Sequence, residues 1–291
     1  MLVHEAKVCI VNFLATVAVI FGISSTEFRF EYSFERWFII FWSPLLLYII
    51  INFIIRFYYT DSSDYQIAVR ACFLGYVFAM GVFIFFLAPE HIRAFGLYAA
   101  IMGTFHWTEY LGIAISNPST LSADSFVLNH SAHYLLAAIS SWIEFALESY
   151  FFHNLKSQWI FWIIGFLLCI FGDVLRKIAM ITAHNNFTHI VQFVRNEGHK
   201  LVTHGVYSRM RHPSYVGWFW WSIGTQIILV NPLCTVLYAI ISWIFFRERV
   251  YVEEITLHNF FGDEYVEYQK NVGTGLPFIR GYHLGMPIGP H

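Results

Sequence analysis

The chain has 291 residues, of which 57% are hydrophobic, 31 are phenylalanine and only 12% are charged. Soluble globular proteins carry about a quarter charged residues, so this composition excludes an ordinary soluble domain and predicts an integral membrane protein. The net charge of −2 argues against nucleic-acid binding, which usually needs a basic surface. The four cysteines stand singly inside apolar runs, which predicts core thiols rather than disulfides or a zinc site.

Eight apolar windows follow one another along the chain, each long enough to cross or nearly cross a bilayer. The first six are Val8–Ile23, Trp37–Arg56, Ile67–Ala88, Phe95–Ile115, Phe126–Tyr150 and Ser157–Ile181, and the last two lie within Pro213–Phe246. We therefore predict an all-α, polytopic membrane protein with about eight transmembrane helices. No repeat or long polar linker is visible, so we expect one domain over 1–291, with spans one to six in 1–182 and a polar loop, a helical hairpin and a C-terminal segment in 183–291.

Lysine and arginine are distributed unevenly between the two sides of these spans. If the N-terminus is cytosolic, thirteen of them lie on the cytosolic side and four, Arg29, Arg36, Arg93 and Lys156, lie on the far side. The positive-inside rule then places both termini and the polar loop in the cytosol.

Polar residues at membrane depth each favour a site or an internal pair, because a charge there costs about 2.5–3.5 kcal/mol on insertion scales. Three pairs lie three or four residues apart: His106 and Glu109, His130 and His133, and Glu144 and Glu148. Three interpretations stay open for them, in order of preference: a hydrogen bond between helices or an interfacial position, part of a substrate channel, and metal ligation. Metal ligation comes last because no fixed ligand spacing joins the pairs.

The stretch Pro213–Phe246 contains 34 residues and no formal charge. A straight helix of that length would reach about 51 Å, well beyond the roughly 30 Å hydrocarbon core of a bilayer. Asn231-Pro232 lies near its middle, and proline breaks a helix, so we predict two short antiparallel helices. Both ends then return to one membrane face, where the loop His199–Tyr215 meets Arg247–Glu254.

The start of this hairpin is suited to an anion. His212-Pro213 sets the helix entry, and the first turn presents free backbone N–H groups and a positive dipole end. An ordinary interfacial cap, with Tyr215 in an aromatic belt, is the alternative. At the other end of the hairpin Arg249 and Glu253 lie four residues apart and share a helix face. They form either a surface pair of little energetic value or a site that holds a zwitterion.

The motif Arg211-His212-Pro213-Ser214-Tyr215-Val216-Gly217-Trp218, with Leu201–Tyr207 before it and Arg247–Glu254 and Thr274–Ile279 after it, resembles the isoprenylcysteine carboxyl methyltransferase family. The similarity covers roughly Asp173–Ile279. It implies transfer of a methyl group from S-adenosylmethionine to the C-terminal carboxylate of a prenylated cysteine, leaving S-adenosylhomocysteine. The protein partners implied are CaaX-processed prenylated proteins such as small GTPases, at the endoplasmic reticulum membrane.

The resemblance also implies residue roles. The cofactor is expected to contact Gln192, His199, Lys200, Leu201, Val202, Tyr207, His212, Pro213, Ser214, Tyr215 and Glu253. Arg249 is expected to hold the substrate carboxylate and to be the catalytic residue. Arg176, which ends the sixth span, is either an interfacial anchor or a second substrate-binding residue. His204 stands where the family would have a small polar residue, which matters only if it faces the cofactor.

Three rival functions remain open from the sequence. A phospholipid methyltransferase shares part of the motif, but its acceptor is an amine, and the cation Arg249 would serve no purpose beside it. A membrane sterol reductase would need a nicotinamide cofactor. A lipid-binding or scaffold protein would bind neither cofactor.

Overall fold

A computed structural model describes residues 2–27, 34–128, 132–195 and 197–285, with only the backbone described at 23–27, 34–41 and 132–133. Its regular structure over these residues is helical. The α-helices are α1 (His4–Glu27), α2 (Phe34–Tyr58), α3 (Ser62–Leu87), α4 (Glu90–Ser116), α5 (Ala132–Phe151), α6 (His153–Lys156), α7 (Trp159–Ala183), α8 (Pro213–Ile228), α9 (Pro232–Phe261) and α10 (Asp263–Asn271). Short 3-10 turns lie at Pro118–Thr120, Ala123–Phe126, His184–Asn186 and Gly205–Ser208. His130 lies outside the described residues, as does the side chain of His133.

Each of the eight predicted windows coincides with a helix, and most ends differ by only a few residues. Among the first six windows the fifth differs most, because Ala123–Phe126 forms a separate 3-10 turn that ends at Val127 in a left-handed conformation, φ 56°. Within the described chain, three helices are both long and apolar enough to cross a membrane, at His4–Gly22, Ser62–Leu87 and Trp159–Asn186. Helix α8 has 16 residues, or about 24 Å, which is shorter than a full hydrocarbon core.

Backbone contacts group the chain into two compact units. The first comprises residues 1–114, 121–134 and 147–158, and the second comprises 115–120, 135–146 and 159–291. The single domain expected from the sequence stays a prediction.

In the first unit, helices pack closely at glycines. A Cβ atom at Gly75 would lie 2.7 Å from the carbonyl oxygen of Phe13, and one at Gly81 would lie 2.7 Å from that of Gly96. Small residues let membrane helices approach this closely. The buried His106 places Nδ1 2.9 Å from the carbonyl oxygen of Phe126, so its preferred interpretation, an internal hydrogen bond, is confirmed.

The first unit also contains a buried ion pair. Lys156 is fully buried, and its Nζ lies 2.7 Å from Oε2 of Glu148. Because a lone buried ammonium would be costly, Glu148 offsets the burial of Lys156.

In the second unit, α7 and α8 cross at two pairs of glycines spaced seven residues apart. A Cβ at Gly172 would lie 2.7 Å from the backbone nitrogen of Trp221, and a Cβ at Gly217 would meet Arg176 at 3.0 Å. Gly165 and Gly224 make the second contact. Because the backbones of the two helices are in contact here, no side-chain movement can change their separation. This crossing therefore fixes the position of Arg176 relative to the start of α8.

The predicted hairpin is confirmed, but its second arm is not short. Helix α9 runs for 30 residues, well past the uncharged stretch, because its charged residues are good helix formers and it ends only at Gly262, φ 53°. At the turn, Glu144 accepts hydrogen bonds from the backbone N–H groups of Leu233 (2.8 Å) and Cys234 (2.7 Å). An acidic side chain on α5 therefore caps the start of α9, which confirms the internal hydrogen bond preferred for Glu144.

We expect Gly172→Ala to destabilise the protein, because its Cβ would press on the backbone of α8, which cannot rotate away as a side chain would. The expected cost is about 1–3 kcal/mol, measured as a lower melting temperature of the detergent-solubilised protein. Gly22→Ala in α1 is the matched control, since a Cβ there meets nothing within 4 Å and alanine favours helix. Equal melting temperatures for wild type and Gly172→Ala would contradict the role of this crossing.

Candidate active site

A cavity in the second unit encloses about 960 Å³ of empty space, part of it open to solvent. All eleven residues that the sequence predicted to contact a cofactor line it: Gln192, His199, Lys200, Leu201, Val202, Tyr207, His212, Pro213, Ser214, Tyr215 and Glu253. They come from the polar loop, the first turn of α8 and the charged part of α9. The cofactor contact itself stays a prediction.

The start of α8 has the geometry that the sequence predicted. His212 is the N-cap residue with φ −124° and ψ 56°, and Pro213 occupies the first helical position. Gly205 opens the preceding turn at φ 60°, a backbone conformation that glycine adopts without strain. His204 is exposed and does not line the cavity, so its departure from the family pattern has no bearing on this wall.

Tyr215 joins the two ends of the hairpin. Its hydroxyl donates a hydrogen bond to Oε2 of Glu253 and accepts one from Nε of Arg249 at 3.3 Å. Its ring stacks on His212, with centroids 5.5 Å apart, and on Phe246 at 5.2 Å. The two arms therefore deliver a guanidinium, a carboxylate and an imidazole to one place, as predicted.

Arg249 stands beside the cavity rather than in its lining. It is half-buried, and besides Tyr215 its Nη2 donates to the carbonyl oxygen of His189 at 3.0 Å. Among the described residues, its Nη1 has no hydrogen-bond acceptor. The end of the guanidinium thus keeps donors for a ligand.

Arg176 is buried below the first turn of α8. Its Nη1 donates to Oγ of Ser214 at 2.5 Å, and its guanidinium lies 4.6 Å from the ring centroid of Trp218 and 5.8 Å from that of Phe187. It does not line the cavity, and the aromatic rings shield its charge. Its role in binding the substrate stays a prediction.

The polar loop is tied down at three points. Asn117 donates hydrogen bonds to the carbonyl oxygens of Asn185 (3.2 Å) and Phe187 (3.0 Å). Arg195 donates to the carbonyl oxygen of Phe260 at 2.6 Å, which caps the last turn of α9. The backbone N–H of Lys200 donates to the side chain of Asn186 at 2.9 Å. These contacts hold a loop with little regular structure against the cavity.

A buried ion cluster backs this site, and sequence reasoning missed it. Oε1 of Glu254 lies 2.8 Å from Nε of Arg211 and 3.0 Å from Nε2 of His212. The side chain of Arg211 also donates to the carbonyl oxygens of Gln269 (3.4 Å), Val272 and Arg280 (2.9 Å). Its charge therefore serves to hold the C-terminal segment. In the sequence, a signal for this cluster was the adjacent acidic pair Glu253-Glu254, which follows the uncharged stretch Pro213–Phe246.

Several ionisable groups near the cavity have shifted pKa values, Glu254 and Tyr268 among them. Burial alone would raise the pKa of Glu254, but hydrogen bonds and charges from His212 and Arg211 outweigh it and hold that pKa below its ordinary value. Burial raises the pKa of Tyr268 to about 12, so its hydroxyl stays a donor, to the carbonyl oxygen of Tyr207 at 2.5 Å.

Known proteins are similar to this chain both around the cavity and beyond it. A model of the isoprenylcysteine carboxyl methyltransferase family matches residues 163–259. The protein-S-isoprenylcysteine O-methyltransferase of Tribolium castaneum is 53% identical over 236 residues, 80% of this chain and 83% of that protein. The chain belongs to the isoprenylcysteine carboxyl methyltransferase family. The Homo sapiens protein of the same name is 53% identical over 222 residues, 76% of this chain and 78% of that protein.

A solved structure of this family extends the match beyond the site. The eukaryotic intramembrane Ras methyltransferase, isoprenylcysteine carboxyl methyltransferase, solved without a monobody, has a TM-score of 0.91 and 45% identity. The match covers 97% of this chain and 100% of that one. The chain is therefore an all-α, multi-pass membrane protein, as the composition predicted.

We expect Glu254→Gln to lower the melting temperature at neutral pH, because it leaves the buried Arg211 without its counter-charge. Since the folded pKa of Glu254 is depressed, its contribution is present above the ordinary carboxyl pKa and is lost as pH falls through the folded value. The difference in melting temperature between wild type and variant should thus shrink in acid. Melting curves from pH 7 downward test this, and a constant difference would contradict it.

Proposed function

We propose that this chain is an S-adenosylmethionine-dependent protein-S-isoprenylcysteine O-methyltransferase that methylates the C-terminal carboxylate of a prenylated cysteine. Family membership supports the reaction type. The single observation that carries the assignment is the convergence of eleven cofactor-site residues on one cavity whose edge ends at Arg249.

The substrates we infer are prenylated CaaX-processed proteins, small GTPases of the Ras type among them, since the similar solved structure is named a Ras methyltransferase. The reaction takes place at the endoplasmic reticulum membrane, with about eight transmembrane helices and with the active site and both termini in the cytosol. The excess of lysine and arginine on that side supports the orientation.

The donor set fits S-adenosylmethionine, which has an ammonium, a carboxylate and a sulfonium and leaves S-adenosylhomocysteine. Glu253 provides a negative charge for the ammonium, and the first turn of α8 provides a positive dipole end for the carboxylate. Tyr207 and Tyr215 provide aromatic surface, which attracts cations. When bound, the cofactor supplies an electrophilic methyl group.

The acceptor needs no general base. An α-carboxyl group has a pKa near 3.3–3.7, so it is already ionised at neutral pH. The task of the protein is therefore to orient this carboxylate and to exclude water from it. Arg249 orients the carboxylate, because Nη1 and the second hydrogen of Nη2 can donate two parallel hydrogen bonds to its two oxygens. Tyr215 fixes the guanidinium by accepting from Nε.

The rival acceptor is a phospholipid amine. A guanidinium gives no advantage beside an amine nucleophile, whereas it pairs directly with a carboxylate. The half-buried Arg249 next to the cavity therefore favours the carboxylate substrate.

Radiolabelled methyl transfer from S-adenosylmethionine tests the assignment. The purified protein should label N-acetyl-S-farnesylcysteine and should not label its methyl ester, whose carboxylate is blocked. Phosphatidylethanolamine as the acceptor, and a sterol with reduced nicotinamide dinucleotide, are the arms for the rivals. Labelling of the amine, or no labelling of the prenylcysteine, would overturn the proposal.

We expect Arg249→Lys to reduce turnover by about 10²-fold or more, because an ammonium cannot form the two parallel hydrogen bonds that orient the carboxylate. Cofactor binding should be largely kept. Arg247→Lys is the matched control, because it is the same substitution on the same helix. The guanidinium of Arg247 lies over the ring of Trp243, 5.4 Å from its centroid. Unchanged turnover in Arg249→Lys would remove its assigned role.

A further inference from the structure

The buried carboxylate of Glu254 divides its two oxygens between different tasks. Oε1 accepts from Arg211 and from Nε2 of His212, and Oε2 accepts from Nε2 of Gln269 at 3.1 Å. The Gln269 side chain lies on α10, so a third element determines how this carboxylate is turned. Gly281, φ 81°, packs so closely that any Cβ there would collide with Oε2.

The orientation of the Gln269 amide is fixed by its own partners. Its Nε2 lies next to Oε2 of Glu254 and 2.6 Å from the carbonyl oxygen of Tyr282, and both of these accept hydrogen bonds. If the amide were flipped, Oε1 of Gln269 would face Oε2 of Glu254 and the carbonyl oxygen of Tyr282, and none of the three oxygens could donate a hydrogen bond. The donor end of Gln269 therefore faces Glu254, and its Oε1 faces the other way.

His258 holds that other end. Its Nε2 lies 3.1 Å from Oε1 of Gln269, so this nitrogen carries the proton and donates it. The ring packs edge-on between Tyr265 and Tyr282, with centroids 4.9 Å and 5.6 Å away. His258 is buried and cannot turn without losing these contacts.

The same logic continues to the cavity wall. Because Glu254 only accepts, Nε2 of His212 must carry a proton, which leaves Nδ1 as the other polar atom of the ring. Among the described residues, Nδ1 of His212 has no protein partner. His212 lines the cavity, so this nitrogen is the ring atom available to a ligand.

We propose that Gln269 is a positioning residue for the cofactor site: by holding Oε2 of Glu254, it keeps Oε1 on Nε2 of His212 and so fixes which nitrogen His212 leaves for the cofactor. The inference rests on the proposed function, because cofactor affinity is its readout. Gln269 does not line the cavity. Its effect reaches the ligand through two side chains.

The test measures the equilibrium affinity of the purified full-length protein for S-adenosylhomocysteine by titration calorimetry, together with kcat and KM for methyl transfer. Gln269→Leu removes the donor to Glu254, and we expect Kd and the cofactor KM to rise about tenfold, the cost of one hydrogen bond to a charged group. We expect kcat at saturating cofactor and the KM of the prenylcysteine to stay within about twofold.

Two further variants separate positioning from mere stability. Thr274→Val removes the hydrogen bond from Thr274 to the carbonyl oxygen of Ile279, 2.5 Å, in the same C-terminal segment but without touching Glu254. It should lower the melting temperature and leave Kd unchanged. His258→Phe frees the far end of Gln269 and should raise Kd by about threefold, and it decides the matter if Gln269→Leu does not fold.

An unchanged Kd in Gln269→Leu overturns the inference, and so does an unchanged Kd in His258→Phe if Gln269→Leu does not fold. In either case, methyl transfer by the wild-type protein still supports the proposed function. An equal rise in Kd for Thr274→Val overturns the inference too, because the effect would then be one of stability. A wild-type protein that binds no S-adenosylhomocysteine overturns the proposed function and this inference with it.

Discussion

The buried carboxylate of Glu254 provides the interaction on which the region around the cavity depends. A charge removed from water is stable only if it is paired and hydrogen-bonded, and Glu254 meets both conditions with Arg211, His212 and Gln269. Glu254 lies on α9, and its partners come from the start of α8 and from α10. Arg211 then binds carbonyl oxygens of the C-terminal segment. Segments with little helix are thus assembled around one ion cluster.

The membrane part contributes a constraint of a different kind. Helices α7 and α8 pack backbone to backbone at glycines, and Glu144 caps the start of α9 from α5. Lipid gives helices no hydrophobic reason to associate, so close packing and hydrogen bonds must hold them. At the open end of the hairpin, Tyr215 and Arg249 lie within hydrogen-bonding distance of each other.

Arg211 and Arg249 show how one residue type serves two purposes near the cavity. Arg211 donates hydrogen bonds to Glu254 and to backbone carbonyl oxygens, so its role is structural. Within the part of the chain that the structure describes, Arg249 donates from Nε and Nη2 only, and it is half-buried, which leaves Nη1 for a carboxylate. A cationic fork beside a cavity open to solvent suits an enzyme whose acceptor is anionic and whose donor is water-soluble.

The sequence by itself determined the membrane class, the helices, the break at Asn231-Pro232 and the set of residues around the cavity. The first three follow from local rules, namely apolar length and proline geometry. The set of residues around the cavity was implied by the resemblance of the sequence to the isoprenylcysteine carboxyl methyltransferase family. Only the tertiary structure decided the long course of α9, the α7–α8 glycine crossing and the cluster that joins Arg211, Glu254 and Gln269. Arg211, Glu254 and Gln269 are far apart along the chain, so no periodic pattern in the sequence indicates that they interact. They are brought together only when the chain folds.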